Sequence, residues 1–290
     1  MNLLGYIILF TLIGSIFSLI GGVLLLLNKK LIMKFIHILS SFAAGALLGA
    51  VFFELLPEGV HQAEESMGIP LFFFFVLGGV LLFYLLERVI HWQHTHDFLY
   101  TKEPIVPLIV IGDTVHNFVD GIAIASAFFI NIPFGIITAL VVGLHEIPQE
   151  IGDFGVLLKK GLKRKTVLLI NLLSAAVSLL GAIVTFYVGR NFENLSIILI
   201  AISSGFFLYI SLSNLIPEIH VENRRGFALG ETLALIGGIA ITYIAITTLH
   251  SYLPTHSHEE IITEKNHEIS SGERAQDYMH EANHSEKHTH

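Results

Sequence analysis

Long apolar runs separated by short polar loops dominate the chain. A helix that crosses the hydrocarbon core of a bilayer needs about 20 mostly apolar residues, and eight runs of this kind occur along the sequence. They cover residues 3–27, 35–56, 70–86, 105–130, 134–158, 166–188, 195–216 and 227–249. The pattern predicts an all-α polytopic membrane protein, with an eight-span domain over residues 1–250 and a tail over residues 251–290.

Composition agrees with a membrane protein and narrows the possible chemistry. Of the 290 residues, 53% are hydrophobic and 14% are charged, which is far too apolar for an ordinary soluble chain. The absence of cysteine excludes disulfides and thiolate sites, so a metal would be held by nitrogen and oxygen alone. The net charge of −8 arises mostly in the tail, and no basic surface for nucleic acid is indicated.

Lys and Arg residues indicate the orientation of the spans, because short loops rich in them stay in the cytoplasm. They concentrate in the loops after spans one, three, five and seven, whereas the short loops on the other side hold only Arg190. We therefore expect a multi-pass protein of the cell membrane, embedded in the lipid bilayer, with both termini outside the cytoplasm. The first apolar run exceeds the ~7–15 residues of a signal-peptide core, so we expect it to stay in the membrane.

Histidines are concentrated in one predicted inner loop and in the tail. His91, His94 and His96 lie in the loop after span three, and the tail holds seven of the sixteen histidines of the chain. Each segment is either a loose metal-collecting arm or a plain solvated segment. The tail has no apolar period, so we expect it to be disordered in isolation.

An internal repeat links the second and seventh spans. Residues 45–58 align with residues 205–218 without a gap, and both segments begin with Gly and end in Pro-Glu. The two spans run in opposite directions, so the repeat predicts inverted halves around a central helix pair, as in many secondary transporters. Glu54, Asn214 and Glu218 in these spans are candidates for the ion pathway.

Spans four and five carry polar side chains that an apolar helix does not tolerate without a cause. These side chains are Asp113, His116, Asn117 and Asp120, then His145, Glu146, Gln149, Glu150 and Asp153. A charged group at this depth costs at least ~2.5 kcal/mol and must face a partner or water. At about 100° per residue, each set falls on one face of its helix. The short connection at 131–133 makes the helices antiparallel neighbours, so the two faces form a cage.

The cage suits a divalent cation, because imidazole nitrogen and carboxylate oxygen together bind zinc and neighbouring first-row ions. Without a cation, carboxylates at this depth would take up protons. Pro148 should free a carbonyl near His145 that can also face an ion or water. Two alternatives use the same residues. One is a hydrogen-bonded seam between helices, and the other is a proton relay, which leaves the amides of Asn117 and Gln149 unexplained.

Two motifs on these spans resemble the signatures of the Zrt/Irt-like (ZIP) metal transporter family. The first is His-Asn-Phe-Val-Asp-Gly at 116–121, and the second is His-Glu-Ile-Pro-Gln-Glu-Ile-Gly-Asp-Phe at 145–154. The resemblance extends to the eight spans, the outward termini, the Pro-Glu ends of spans two and seven and the His-rich inner loop. It covers nearly everything except the tail.

The resemblance implies a binuclear site midway through the bilayer, alternating access between two helix bundles and movement of an ion into the cytoplasm. The substrate would be Zn2+ or a similar ion such as Cd2+, Fe2+ or Mn2+, and a homodimer is a candidate assembly. One metal position would take His116, Asp120, His145 and Gln149, and the adjacent one would take Asn117 and Glu146. Asp113 and Asp153 are expected to orient the histidine ring N–H groups.

Two features depart from the family pattern. Many relatives carry His or a carboxylate where this chain has Gln149, which is a weaker, neutral ligand. Span six offers Asn171, Ser174 and Ser178 but no acidic ligand. Both departures predict altered affinity, selectivity or occupancy at the second metal position.

Two other function classes use the same cage. An intramembrane zinc metallohydrolase would need the motif His-Glu-x-x-His, with His145 as a ligand and Glu146 as the general base. Here Gln149 replaces the second histidine and Pro148 lies within the turn. The other class is a membrane sensor that holds metal without moving it. We expect a transporter rather than an enzyme.

Overall fold

The computed structural model describes residues 2–27, 29–96, 105–189, 191–192, 194–217 and 228–252. Within these ranges the regular structure is entirely helical, without strands. The α-helices traced there are α1 Leu3–Leu27, α2 Lys29–Ala50, α3 Leu56–Ser66, α4 Ile69–His96, α5 Ile105–Ile130, α6 Ile132–Lys159, α7 Arg164–Gly189, α8 Leu195–Tyr209 and α9 Ala228–Tyr252. Two short π-helices join them: π1, Val51–Leu55, lies between α2 and α3, and π2, Ile210–Leu215, follows α8.

The predicted spans coincide closely with these helices. Spans one and four have the same bounds as α1 and α5. Across the described ranges, six helices are long and apolar enough to cross a membrane. Helix α1 is apolar over Leu3–Ser15, and α5 is 26 residues long but carries a polar stripe. The all-α polytopic fold class is therefore confirmed.

Two predicted spans end well before their helices do. The helix of the second predicted span does not end at residue 56. It continues through π1 into α3, which ends at Ser66. Helix α4 continues to His96, so the backbone of the predicted His-rich loop is helical as far as that residue. Hydropathy marks only the part of a helix that lies in hydrocarbon, and polar turns can continue beyond it. The side chains at 91–96, Glu218 and residues 253–290 lie outside the described residues.

Helices α5 and α6 form the central pair, and the other helices are arranged symmetrically about them. The two pack on each other, α5 packs on α7 and α8, and α6 packs on α1 and α2. Helices α1 and α2 belong to the first half of the repeat, and α7 and α8 belong to the second. Each central helix therefore contacts the first two spans of one half.

A tight connection sets the antiparallel arrangement of the central pair. Asn131 alone separates α5 from α6, and its backbone is extended. Its side chain accepts a hydrogen bond from the backbone N–H of Phe134 at 2.7 Å, which caps the first turn of α6. Pro133 occupies that first turn, where its missing N–H costs nothing. This connection confirms the predicted neighbouring arrangement of spans four and five.

The two π-helices occur at equivalent positions of the repeat. The backbone N–H of Leu56 donates to the carbonyl of Val51, five residues back, and that of Ile216 donates to Ser211 in the same way. Each π-helix is followed by proline, which has no N–H to continue the α-helical ladder. The wider turn shifts the hydrogen-bond register just before the proline. The shared location is structural evidence for the predicted repeat.

Glycines of the repeat contact matching helices. A Cβ atom added to Gly45 of α2 would overlap the carbonyl oxygen of Leu235 in α9, and one added to Gly205 of α8 would overlap that of Val76 in α4. Gly45 and Gly205 are aligned in the repeat. Helix α2 therefore packs on α9 as α8 packs on α4.

The partner helices return the same contacts. A Cβ on Gly238 of α9 would overlap the carbonyl oxygen of Phe42 in α2, and one on Gly79 of α4 would overlap that of Ile202 in α8. Close backbone contact through small residues is how helices associate where lipid is as apolar as the side chains. These reciprocal contacts confirm the repeat, including the third and eighth spans that the sequence comparison does not cover.

The outermost helices expose apolar side chains as a lipid-facing surface requires. Phe74 and Leu82 of α4 are 65% and 57% exposed, and Leu229 and Ile244 of α9 are 71% and 60% exposed. In contrast, the central helix α6 is mostly buried. The described spans form one compact unit that ends at Leu249.

Candidate metal centre

Four side chains from the central helix pair meet in the interior of the bundle. His116 and Asp120 come from α5, and His145 and Glu146 come from α6. All four residues are buried, with at most 2% of their surface exposed. One nitrogen or oxygen atom of each lies within 4.8 Å of the corresponding atoms of the others. The two predicted polar stripes therefore do face each other.

The distances between these atoms leave room for a shared cation. The Nε2 atom of His116 lies 3.2 Å from Oε1 of Glu146 and 3.7 Å from Oδ2 of Asp120. The Nε2 atom of His145 lies 3.9 Å from the same Asp120 oxygen. The Asp120 carboxylate thus lies between the two imidazoles, and its position lets one ion contact both rings.

The backbone determines which nitrogen of His145 faces the centre. Its Nδ1 atom lies 3.2 Å from the carbonyl oxygen of Val141. Because a carbonyl can only accept, Nδ1 carries the hydrogen and donates to it. Nε2 is then left with its lone pair directed at the Asp120 side, as a metal ligand requires.

The interior of this site is poor in hydrogen bonds. Among the described residues, no hydrogen bond of ordinary geometry reaches the ring nitrogens of His116, Nε2 of His145 or the carboxylate oxygens of Asp120 and Glu146. Leaving such groups buried without partners costs roughly 1–3 kcal/mol each, and more when they are charged. A bound divalent cation would satisfy several of these atoms at once.

Asn117 is held by its amide nitrogen. Nδ2 donates to the backbone carbonyl and to Oδ1 of Asp113, each at 3.2 Å, and lies 3.3 Å from the hydroxyl of Ser174. The Asp113 carbonyl can only accept, so the nitrogen faces it and the amide oxygen is directed elsewhere. Asp113 was expected to orient a histidine ring, but this expectation is wrong: it contacts Asn117, and His145 uses the Val141 carbonyl.

Gln149 lies one turn beyond His145 on α6 and is half-buried. Its Oε1 atom is buried and makes no hydrogen bond to the described residues. Pro148 lies inside α6, which continues through it to Lys159. Asn117 and Gln149 lie on the same two helices as the four-residue group, and their role as metal ligands stays a prediction.

Helix α7 supplies neutral polar side chains that contact both helices of the central pair, α5 and α6. A Cβ on Gly121 of α5 would overlap the carbonyl oxygen of Ser178, so the two backbones are in close contact. This contact brings Ser174 to Asn117 and Asn171 to α6, where its side-chain Nδ2 donates to Oε2 of Glu150. The sequence shows these residues in span six, but not which carboxylate or amide each one contacts.

Two phenylalanines of α8 contact the imidazoles. The Phe206 ring stacks on His116 at 6.0 Å between centroids and 21° between planes. Phe207 presents an edge to His116 at 5.9 Å and to His145 at 5.8 Å. Sequence reasoning did not identify them, because 22 phenylalanines in an apolar chain carry no individual signal. In the repeat they align with Ala46 and Leu47, so the equivalent positions of the first half carry no aromatic ring.

Two of the three residues suggested for the ion pathway, Glu54 and Asn214, lie in the π-helices. Glu54 of π1 is buried, with 3% of its surface exposed, and Asn214 of π2 is half-buried. These two residues are aligned in the repeat. A role for these two residues in the ion pathway stays a prediction.

Comparison with known proteins identifies the family. The family model described as "ZIP Zinc transporter" matches residues 2–105 and 99–246. The chain is 31% identical over 224 residues to zinc transporter ZIP13 of Pongo abelii, covering 70% of this chain and 64% of that protein. It is 36% identical over 163 residues to zinc transporter ZIP6 of Homo sapiens, covering 51% of this chain and 22% of that protein.

The chain is 41% identical over 146 residues to zinc transporter ZIP10 of Mus musculus, covering 47% of this chain and 18% of that protein. The chain spans about a fifth of the length of ZIP6 and ZIP10. The family model, by contrast, matches most of the chain and includes both motifs of the central helix pair. The chain therefore belongs to the ZIP zinc transporter family, a family of multi-pass membrane transporters.

Proposed function

We propose that this protein moves Zn2+ across the membrane through the buried group formed by His116, Asp120, His145 and Glu146. The observation that carries the proposal is the convergence of these four side chains on facing helices. Their facing atoms lie within ligand range and make no hydrogen bond of ordinary geometry to the described residues. Two neutral imidazoles and two carboxylates form an N2O2 set that balances a divalent charge. This ligand set suits Zn2+ and related ions.

The ligands replace the hydration shell that the ion leaves in water. Imidazole nitrogen supplies affinity without net charge, and Asp120 and Glu146 neutralise the ion in a low-dielectric interior. The amide oxygens of Asn117 and Gln149 would contribute to an adjacent second position. Their weaker, neutral donors would keep binding loose enough for release, which transport requires.

The repeat supports a mechanism of alternating access. Two halves of related fold pack on the central pair from opposite sides, so a shift of one bundle against the other would expose the ion first to one face of the membrane and then to the other. The distribution of Lys and Arg supports an orientation with both termini outside the cytoplasm. The resemblance of the two motifs to the ZIP family supports movement of the ion into the cytoplasm. Formation of a homodimer stays a prediction.

Membership of a transporter family also weighs against the hydrolase alternative. A zinc hydrolase built on this helix would need a second histidine at position 149, and the chain has Gln149 there. A sensor that holds metal without moving it would use the same cage, so flux must be measured directly.

The test is zinc uptake by liposomes that contain the purified protein. We expect wild-type protein to accumulate zinc, and His116→Ala and His145→Ala to abolish uptake while the protein stays folded. His61→Ala is the matched control, because His61 is exposed on α3. Uptake that persists in both site variants would overturn the proposed site. Zinc bound without flux would favour the sensor, and peptide hydrolysis lost on Glu146→Gln would favour the hydrolase.

The same liposomes reveal the substrate range. Competition by Cd2+, Fe2+ or Mn2+ is expected to follow the preference of nitrogen-containing sites, with Zn2+ and Cd2+ ahead of Mn2+. Runs with and without a proton gradient would identify the driving force.

A further inference from the structure

Glu150 is a buried carboxylate beside the metal centre that the family resemblance gives no role. It lies on α6 one turn beyond Glu146, so the two side chains share one face of the helix. Only 1% of its surface is exposed. It also lies within electrostatic range of Asp113, Glu146 and Asp153, all of which are acidic.

The two oxygens of this carboxylate have different surroundings. Oε2 accepts a hydrogen bond from Nδ2 of Asn171 on α7. Oε1 is buried and makes no hydrogen bond to any described residue. Because the amide nitrogen of Asn171 can only donate, the contact fixes the rotation of the carboxylate and leaves Oε1 as a free acceptor.

Charge balance favours a cation at this end of the site, because the carboxylates must otherwise take up protons. The buried carboxylates of Asp113, Asp120, Glu146 and Glu150 carry up to four negative charges. Within the described part of the chain, the ion pairs join Asp120 and Glu146 to histidines, which carry charge only when they are protonated. One divalent ion at the four-residue group compensates two charges. A buried carboxylate left without compensation is strongly unfavourable in an apolar surrounding.

We propose that Glu150 is a further ligand of the transported divalent cation, with Oε1 as the donor atom and Asn171 as the residue that positions it. The inference rests on the proposed function, because it assigns an additional oxygen donor to the same cation pathway. Glu150 extends the ligand group by one helical turn toward the end of α6 that is predicted to face the cytoplasm. An ion leaving the imidazoles would meet this carboxylate next.

The competing interpretation is that Glu150 serves only to join α6 to α7 through Asn171. The two interpretations differ in what Glu150→Gln should do. The glutamine carbonyl oxygen can still accept from Asn171, so the helix contact is retained. The charge is lost, which weakens a ligand but relieves a buried negative group in the metal-free protein.

The test measures zinc binding directly, in lipid nanodiscs, by calorimetry and by the number of zinc equivalents retained. We expect Glu150→Gln to lower zinc affinity by at least about tenfold, or to remove part of the bound zinc, while the metal-free protein melts no lower than wild type. Asn171→Ala should weaken binding by roughly tenfold, as is usual when a group that orients a ligand is lost. Unchanged affinity and stoichiometry in Glu150→Gln would overturn the proposal.

Glu231→Gln is the matched control, since Glu231 is another buried carboxylate, on α9, with 7% of its surface exposed. It should leave zinc binding unchanged, and an equal loss there would also overturn the assignment. The binding measurement is independent of transport. If wild-type protein binds zinc but moves none, the proposed function fails; if it moves zinc and Glu150→Gln binds normally, only the role of Glu150 fails.

Discussion

The Nε2 atom of His116 lies 3.2 Å from Oε1 of Glu146, across the contact between α5 and α6. These atoms come from different signature motifs, and neither makes a hydrogen bond of ordinary geometry among the described residues. A short approach of two buried ligand atoms from facing helices is what a shared cation site requires.

Zinc should stabilise the folded protein through these ligands. At a zinc concentration one hundred times Kd, binding to the native state alone adds about 2.7 kcal/mol to the free energy of unfolding. Thermal unfolding in detergent should therefore shift upward with zinc and return with a chelator. A double variant, His116→Ala with His145→Ala, should show no shift, whereas His61→Ala should respond like wild type. An equal zinc shift in the double variant would place the binding site elsewhere.

Gln149 should set metal affinity or preference. Replacing its amide by imidazole in Gln149→His adds a stronger nitrogen donor and should favour Zn2+ over Mn2+, and Gln149→Glu should add charge and tighten binding more generally. Competition between the two ions, measured on bound zinc, distinguishes these outcomes. Competition profiles identical to wild type in both variants would show that residue 149 is not a ligand.

Gly79 should be intolerant of any side chain. A Cβ there would overlap the carbonyl oxygen of Ile202 in α8, and the helices would have to separate. We expect Gly79→Ala to cost roughly 1–3 kcal/mol of stability through overpacking. The adjacent Gly78→Ala is the control, because no heavy atom lies within 4 Å of its added Cβ. Thermal unfolding of the two variants should differ clearly.

The same comparison exists in the other half of the repeat. Gly238→Ala meets the carbonyl oxygen of Phe42, whereas Gly237→Ala meets nothing within 4 Å. If the halves are equivalent, Gly238→Ala should be less stable than Gly237→Ala, just as Gly79→Ala should be less stable than Gly78→Ala. Equal stability within each pair would contradict the close backbone contacts.

Phe207 should matter for both packing and zinc binding. Its ring contacts both imidazoles and is 1% exposed, so Phe207→Ala should cost about 3–5 kcal/mol through the cavity that it leaves. The imidazoles would also lose a wall that limits their rotation, and zinc affinity should fall. Phe207→Leu keeps most of the volume and should be milder. Zinc affinity unchanged in Phe207→Ala would mean that the ring does not orient the ligands.

Much of the fold could be predicted because lipid allows few solutions. A backbone that crosses hydrocarbon must satisfy its hydrogen bonds internally, so long apolar runs become helices, and the bounds of α1 and α5 match the sequence. Polar residues in such runs are costly, so their spacing alone placed His116, Asp120, His145 and Glu146 on facing surfaces. The alignment of Gly45 with Gly205 likewise revealed the repeat.

The tertiary structure decided what depends on distances between helices. Apolar runs do not reveal that π1 and π2 precede Pro57 and Pro217. They also do not reveal that the helical segment that begins with α2 continues to Ser66. The partners of Asp113, Glu150 and Asn171 depend on how closely α7 approaches α5 and α6, and the contacts of Phe207 depend on how α8 is rotated. Local periodicity determines which face of a helix is polar, whereas packing of the other helices selects the atom that each polar group meets.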